Sequence, residues 1–340
     1  MSPNFPSSGF PATRLRRMRT APWSRALVRE TALGPGDMIW AIVLVDGENK
    51  KEPVAAMPGV ERLSIDQAVN AAKKARDLGI PALALFPFTS PDERSADARL
   101  ALNGDNLMCR AASTIKDAVP EIGLMADVAL DPYTDHGHDG VMHEGEILND
   151  ETVELLVMQS LLQARAGFDI IAPSDMMDGR IGAIRANLEN EGMSHVQIMS
   201  YAAKYASAFY GPYREAIGSS GVLKGDKRTY QMDPGNSEEA LREAKLDLTE
   251  GADSIMVKPA GAYLDIIYRL REAYAAPTYA FQVSGEYAMI SAAAANGWID
   301  RDRAILESLT AIKRAGANGV ITYFAAEACA LLEGQPAYGA

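Results

Sequence analysis

Two amines stand where carbonyl chemistry would need them. Lys258 closes the apolar run Ser254-Ile-Met-Val-Lys and is followed by Pro259, and Lys204 follows Gln197-Ile-Met-Ser-Tyr-Ala-Ala on the preceding run. An amine at the end of an apolar strand loses hydration, which disfavours the ammonium, and a second amine nearby lowers at least one pKa further by repulsion. A neutral lysine is the nucleophile that attacks a carbonyl to form a Schiff base. One strand-end lysine alone could equally extend its stem to solvent. The pair on successive runs is what favours chemistry.

A second concentration of reactive groups runs from Asp127 to Glu146. It holds six carboxylates (Asp127, Asp131, Asp135, Asp139, Glu144, Glu146) and three of the four histidines. Asp131 and Asp139 offer hard oxygens suited to magnesium, whereas tetrahedral zinc wants more thiolate or imidazole. A solvated acidic loop is the competing reading. Asp127 differs from the rest, because it lies within an apolar run and is expected to point into a site. Further polar groups follow other runs: Ser174, Asp175, Asp178 and Arg180; Ser284 with Glu286; and Thr322 with Tyr323.

Elements must hold these groups. Eight continuous apolar runs, rich in β-branched and aromatic residues, read as strands covered on both faces: 39–45, 80–86, 123–130, 169–173, 196–201, 254–259, 278–284 and 320–324. Amphipathic stretches fill the gaps. One helix is expected between Ser64 and Gly79, one from Asn149 to Gly167, and one between Asn236, with Glu239 as capping-box partner, and Gly251. Eight strand–helix repeats close into a (β/α)8 TIM barrel, although a doubly wound open sheet has a similar linear pattern. In a barrel, adjacent strands lie about 5 Å apart and reactive residues gather at their C-terminal ends. Residues 205–233 are long for a strand–helix connection and read as an active-site lid.

Composition narrows the class. The 340 residues carry a net charge of −12, which argues against nucleic acid as a partner. The first 30 residues hold six arginines against Glu30 alone. They resemble a transit peptide in charge but lack an apolar signal core, so residues 1–35 are read as an arm that docks on a neighbouring acidic body, and 36–340 as one domain. Two cysteines, Cys109 and Cys329, cannot build a disulfide framework, and no apolar run is long enough for a bilayer. No membrane association and a reduced, cytoplasmic setting are expected.

Several segments together resemble one family. Met199-Ser-Tyr-Ala-Ala-Lys-Tyr-Ala-Ser, Phe209-Tyr-Gly-Pro-Tyr-Arg, Tyr230-Gln-Met-Asp-Pro, Gly251-Ala-Asp-Ser-Ile-Met-Val-Lys-Pro-Ala-Gly-Ala-Tyr-Leu-Asp and Val283-Ser-Gly-Glu-Tyr are similar to porphobilinogen synthases, also called 5-aminolevulinate dehydratases. That family condenses two 5-aminolevulinate molecules into porphobilinogen in tetrapyrrole synthesis, on the way to haem, chlorophyll and cobalamin. The resemblance implies that Lys258 holds the propionate-side substrate and Lys204 the acetate-side one. It implies that Arg214, Lys227 and Gln231 clamp one carboxylate, that Ser284 and Tyr323 bind the other, and that Asp127 and Ser174 meet the propionate-side amino group.

The metal picture comes from the same resemblance. A zinc-dependent branch has three cysteines where this chain has Ala129, Asp131 and Asp139. The resemblance is therefore to an aspartate-rich branch without zinc, in which magnesium or a monovalent cation takes its place. Glu243 matches a glutamate that serves an allosteric magnesium site between subunits. A homo-octamer assembled through the arm is implied as well. Lys227 stands where several relatives have Arg, keeping the charge but losing the bidentate fork. The competing readings are a one-lysine Schiff-base barrel of the aldolase kind and a non-catalytic cation-binding scaffold.

Overall fold

The structure, a computed structural model, describes residues 9–219 and 221–334. Residues 1–8 of the expected arm lie outside that range.

Eight parallel strands form the barrel: β1 (Met38–Leu44), β2 (Ala82–Pro87), β3 (Gly123–Val128), β4 (Ile170–Pro173), β5 (Gln197–Lys204), β6 (Ser254–Lys258), β7 (Thr278–Gln282) and β8 (Gly319–Thr322). Each pairs with its sequence neighbours, and Met38↔Val320, Ile39↔Ile321 and Trp40↔Thr322 join β1 to β8 and close the sheet. All eight expected runs are strands, and the open-sheet alternative is gone.

Nine longer helices are described: α1 (Ile65–Asp77), α2 (Leu107–Ala118), α3 (Asn149–Arg165), α4 (Arg180–Asn190), α5 (Glu238–Glu250), α6 (Leu264–Tyr274), α7 (Ser284–Ala295), α8 (Arg301–Arg314) and α9 (Ala325–Glu333). α1 buries Ala68, Ala71, Ala72 and Ala75 against the sheet, a stripe of small side chains that lets the helix approach closely. Gly251 ends α5 at φ +108°, a conformation that disfavours any side chain. The core is continuous from the barrel interior to the helix layer.

Several local expectations change. The fifth strand runs on to Lys204 rather than stopping at Tyr201, because pairing with β6 resumes at Ala203 and Lys204. Ser284 opens α7 instead of ending a strand, with Val283 extended as its N-cap. Asn236 and Glu239 bond to each other (Nδ2–Oε2, 2.7 Å), but Ser237 is the residue before α5, so the reciprocal cap does not form. Ser64 precedes α1, yet its hydroxyl accepts from Lys50 N at 2.8 Å and donates to Asp66 at 2.6 Å rather than capping the helix.

The described part of the arm stays apart from the core. It contains a 3-10 turn, Leu15–Arg19, and a short helix, Pro22–Leu27, and nothing from residue 9 to 30 is buried. Phe10, Leu15, Met18, Trp23 and Leu27 are all exposed.

Candidate active site

Lys204 and Lys258 end neighbouring strands and are direct register partners. Both are buried. Their surroundings are opposite in kind. Lys258 Nζ makes no hydrogen bond or ion pair among the described residues and sits among rings, 4.5 Å from the centroid of Phe281, 4.9 Å from Tyr201, 5.3 Å from Tyr213 and 5.7 Å from Tyr210. Burial first, and the Lys204 charge second, push its pKa down to about 7. Lys204 Nζ instead pairs with Asp139 Oδ1 at 3.1 Å and donates to the Ser174 carbonyl.

Asp127, on β3, lines the same cavity with Ser174, Lys204 and Lys258. Its Oδ1 has no hydrogen-bond partner among the described residues, and loss of hydration raises its pKa to about 6 against the pull of Lys258. The carboxyl therefore titrates near neutrality. A buried acid and a buried amine that both change protonation near pH 7 are suited to proton exchange.

The acidic stretch folds against the segment 205–233. Lys227 Nζ lies 3.1 Å from Asp131 and 2.6 Å from Asp139. Tyr230 Oη donates to Asp139 Oδ2 at 3.0 Å and lies 3.0 Å from His138 Nδ1, while His138 Nε2 meets the Lys224 carbonyl at 2.7 Å. Burial alone would raise the Asp139 pKa, but Lys204 and Lys227 outweigh it and hold the carboxylate well below the usual range. Lys227 in turn stays charged despite burial, because Asp131 and Asp139 flank it.

This segment also supplies ring walls. Tyr210 ends the 3-10 turn Ala208–Tyr210, and Tyr213 lies in the short helix Gly211–Ala216. Tyr213 N donates to Ser284 Oγ at 2.9 Å. Gly285 makes the contact possible: a Cβ there would lie 2.8 Å from Phe209 Cα and 2.9 Å from its carbonyl carbon.

The expected substrate groups divide. Asp127, Ser174, Arg214, Lys227 and Gln231 all line the cavity, with Arg214 exposed at its rim and free of ion pairs among the described residues. Ser284 and Tyr323 do not line it. Ser284 is committed to the backbone of residues 209 and 213, and Tyr323 Oη is buried without a hydrogen-bond partner among the described residues, its ring 6.2 Å from Phe281 and 6.0 Å from Tyr287. The ring wall around Lys258 was missed in the sequence, where Tyr201, Tyr210 and Tyr213 carry no signal of convergence.

A metal at this cavity finds its donors taken. Asp131 and Asp139 do converge, but on the ammonium groups of Lys227 and Lys204, and no three His, Cys, Asp or Glu side chains cluster for a cation among the described residues. The two carboxylates do not fit a divalent ion while those lysines stay in place. Glu243 lies away from this cavity, half-buried on α5, beside a second depression it shares with Glu146, Asp178 and Glu239. Burial, and then Asp247, raise its pKa.

Fold and cavity define the class: a (β/α)8 barrel with an amine-lined pocket at the C-terminal ends of its strands. The family model described as delta-aminolevulinic acid dehydratase matches residues 12–331. Delta-aminolevulinic acid dehydratase of Bradyrhizobium diazoefficiens is 60% identical over 95% of this chain and 92% of its own. That of Rhodobacter capsulatus is 51% identical over 95% and 97%. The crystal structure of the Toxoplasma gondii enzyme (porphobilinogen synthase), in complex with the reaction product porphobilinogen, superposes with a TM-score of 0.91 at 46% identity, covering 94% of this chain and 91% of that one. The chain belongs to the delta-aminolevulinic acid dehydratase family.

Proposed function

We propose that this chain is a porphobilinogen synthase that joins two molecules of 5-aminolevulinate with loss of two waters, through imines on Lys258 and Lys204. The observation that carries the reading is the register pairing of the two lysines at one barrel mouth, one with its pKa pushed down to about 7 among aromatic rings and one paired with Asp139.

That difference assigns an order. Lys258, about half unprotonated near pH 7, attacks the ketone of the first substrate; the N–C bond forms and, as the C–O bond breaks, a proton delivered from the cavity lets water leave. Asp127, titrating near 6 with a free oxygen, exchanges that proton. Lys204 must first leave its contacts with Asp139 and the Ser174 carbonyl, so it acts second. Its imine acidifies the neighbouring C–H; loss of that proton gives an enamine carbon that bonds to the imine carbon on Lys258. The free amino group of the substrate on Lys258 then attacks the imine carbon on Lys204 and displaces that lysine, closing the ring; loss of the adjacent C–H proton expels Lys258, and transfer of a last ring C–H proton to nitrogen gives the pyrrole with both lysines regenerated. Fixing two identical substrates in one cavity replaces a bimolecular encounter with an oriented one.

Arg214 and Gln231 are proposed to bind one substrate carboxylate, with Lys227 joining them once it leaves Asp131 and Asp139. Residues 205–233 act as the lid that keeps water from the imines. Replacing Lys258 or Lys204 by Met is expected to abolish porphobilinogen, detected by its colour with an acidic aldehyde reagent, while circular dichroism stays unchanged. Borohydride in the presence of 5-aminolevulinate is expected to leave a reduced adduct on Lys258. A folded protein that gives no such adduct would overturn the reading.

Assembly and metal belong to the same proposal. The unburied apolar side chains of the arm support docking on another subunit, and an octamer is the assembly the family resemblance favours. Removing residues 1–30 should lower the sedimentation mass; an unchanged mass refutes the arm's role. We propose magnesium at Glu243 rather than at the lysines, so it should raise the Tm of the parent protein and not that of Glu243→Gln. The buried, unpaired Cys109 and Cys329 suit a reducing cytoplasm.

A further inference from the structure

Lys204 faces Lys258 only because β5 is irregular. Ser254 and Ile255 of β6 pair with Met199 and Ser200, but Val257 and Lys258 pair with Ala203 and Lys204. Two residues advance on β6 while three advance on β5, so β5 carries one extra residue at 201–202. Paired residues of neighbouring strands point to the same face, and successive residues alternate. With regular pairing Ala203 would stand opposite Lys258, and Lys204 would point into the helix layer. The bulge reverses the phase of the strand's last residues and turns Lys204 into the mouth.

Something must hold so unusual a feature in a parallel ladder, and one buried side chain touches it from three directions. Arg180, at the start of α4, places Nη2 at 3.3 Å from Ser200 Oγ and 3.5 Å from the Tyr201 carbonyl, the residues at the bulge. Its Nη1 bonds Asp247 of α5 at 2.9 Å, and Asp247 also accepts from Ser200 Oγ. Its Nε lies 3.9 Å from Asp175, the residue after Ser174, whose carbonyl holds the Lys204 ammonium. Arg180 is 2% exposed, so this guanidinium has no part in contacting substrate from solvent.

We propose that Arg180, fixed by Asp247, is a positioning residue that locks the β5 bulge and thereby aims Lys204 at Lys258. The proposal rests on the two-lysine reading above. Neither Arg180 nor Asp247 touches the reacting atoms; both act through the strand. Lysine could keep the charge of Arg180 but could not reach Asp247, Ser200 and the Tyr201 carbonyl together.

The test compares the parent protein with Arg180→Gln, Arg180→Lys and the milder Ser200→Ala. Turnover, the borohydride adduct on Lys258 and a crystal structure are measured for each folded variant. Arg180→Gln is expected to retain the Lys258 adduct while turnover falls about 100-fold, the scale of a misplacement near 1 Å. Arg180→Lys should not rescue it, and Ser200→Ala should show a smaller loss. The crystal structure should show Ala203 opposite Lys258 or Lys204 swung out of the mouth. Turnover within about twofold of the parent in Arg180→Gln, or an unchanged Lys204↔Lys258 pairing, overturns the proposal. If Arg180→Gln does not fold, full turnover in Ser200→Ala with an Asp247→Asn variant equally active does so. Absence of the Lys258 adduct from the parent protein itself would instead sink the two-lysine reading, while the strand register in the variants would still decide the structural claim.

Discussion

The sharpest test of the electrostatics is the titration of Lys258. With a pKa near 7, about half of this lysine is free amine at pH 7, against about one part in 3,000 for an ordinary lysine near 10.5. Burial is the larger cause and Lys204 the second. An unpaired ammonium about 5 Å away, at an effective dielectric of about 20, is worth about 3 kcal/mol or about two pKa units. Asp139, 3.1 Å from Lys204 Nζ, cancels much of this. Lys204→Met should therefore raise the midpoint by about one unit, leaving it well below the ordinary value. Pulses of acetic anhydride over a pH series, with peptide mass spectrometry of the Lys258 fragment, read the free amine directly. Labelling should rise with pH through about 7 in the parent protein and then level off. A parent midpoint near that of surface lysines, or a Lys204→Met midpoint no higher than the parent's, refutes the reasoning.

Three other substitutions probe separate contacts. Asp127→Asn removes a buried carboxylate whose folded pKa, about 6, lies above its ordinary 3.8. Ionisation there opposes folding, not at all below the ordinary value, increasingly between the two, and fully above about 6, so the variant should be about 1–3 kcal/mol more stable at mildly alkaline pH, with the gain fading in acid. Turnover should be lost; a Tm unchanged or lower at alkaline pH contradicts this. Lys227→Gln takes a cation from between Asp131 and Asp139, and manganese should then raise the variant's Tm by an amount that Asp131→Asn added to the variant removes. Gly285→Ala drives a methyl into the backbone of Phe209 and should cost about 1–3 kcal/mol by chemical denaturation and weaken substrate binding, since Tyr213 docks beside it. Wild-type stability and KM in that variant would show the contact to be soft.

The barrel was legible because strands buried on both faces must be continuously apolar, a local property. Lys258 was legible for the same reason: a charge closing the run Ser254-Ile-Met-Val is conspicuous. The end of β5 was not, since Ala202 and Ala203 carry no strand preference and a bulge leaves no mark on the order of residues. Nor was the fate of Lys227, whose partners Asp131 and Asp139 lie on another connection, brought close only by closure of the barrel. Charge type identified Asp131 and Asp139 as cation-binding oxygens; proximity in space put Lys204 and Lys227 beside them. Ser284 and Tyr323 were assigned by motif, and the motif does not reveal that one hydroxyl is engaged by neighbouring backbone while the other has no hydrogen-bond partner among the described residues.

The extra residue in β5 has a bearing on how such a site can arise. Point substitution can place a second lysine in a regular barrel strand only at positions already facing inward, two residues apart. Here Tyr201 and Lys204 both reach Lys258 from the same strand, three residues apart, one as a ring wall and one as a neighbouring amine. That spacing requires an extra residue in the strand, which exchanging side chains on a regular ladder does not supply. A designer who grafts the two lysines onto another barrel by substitution alone will place the second amine behind the sheet, and a strand-by-strand alignment to a regular barrel will be one residue out of phase across its most important positions.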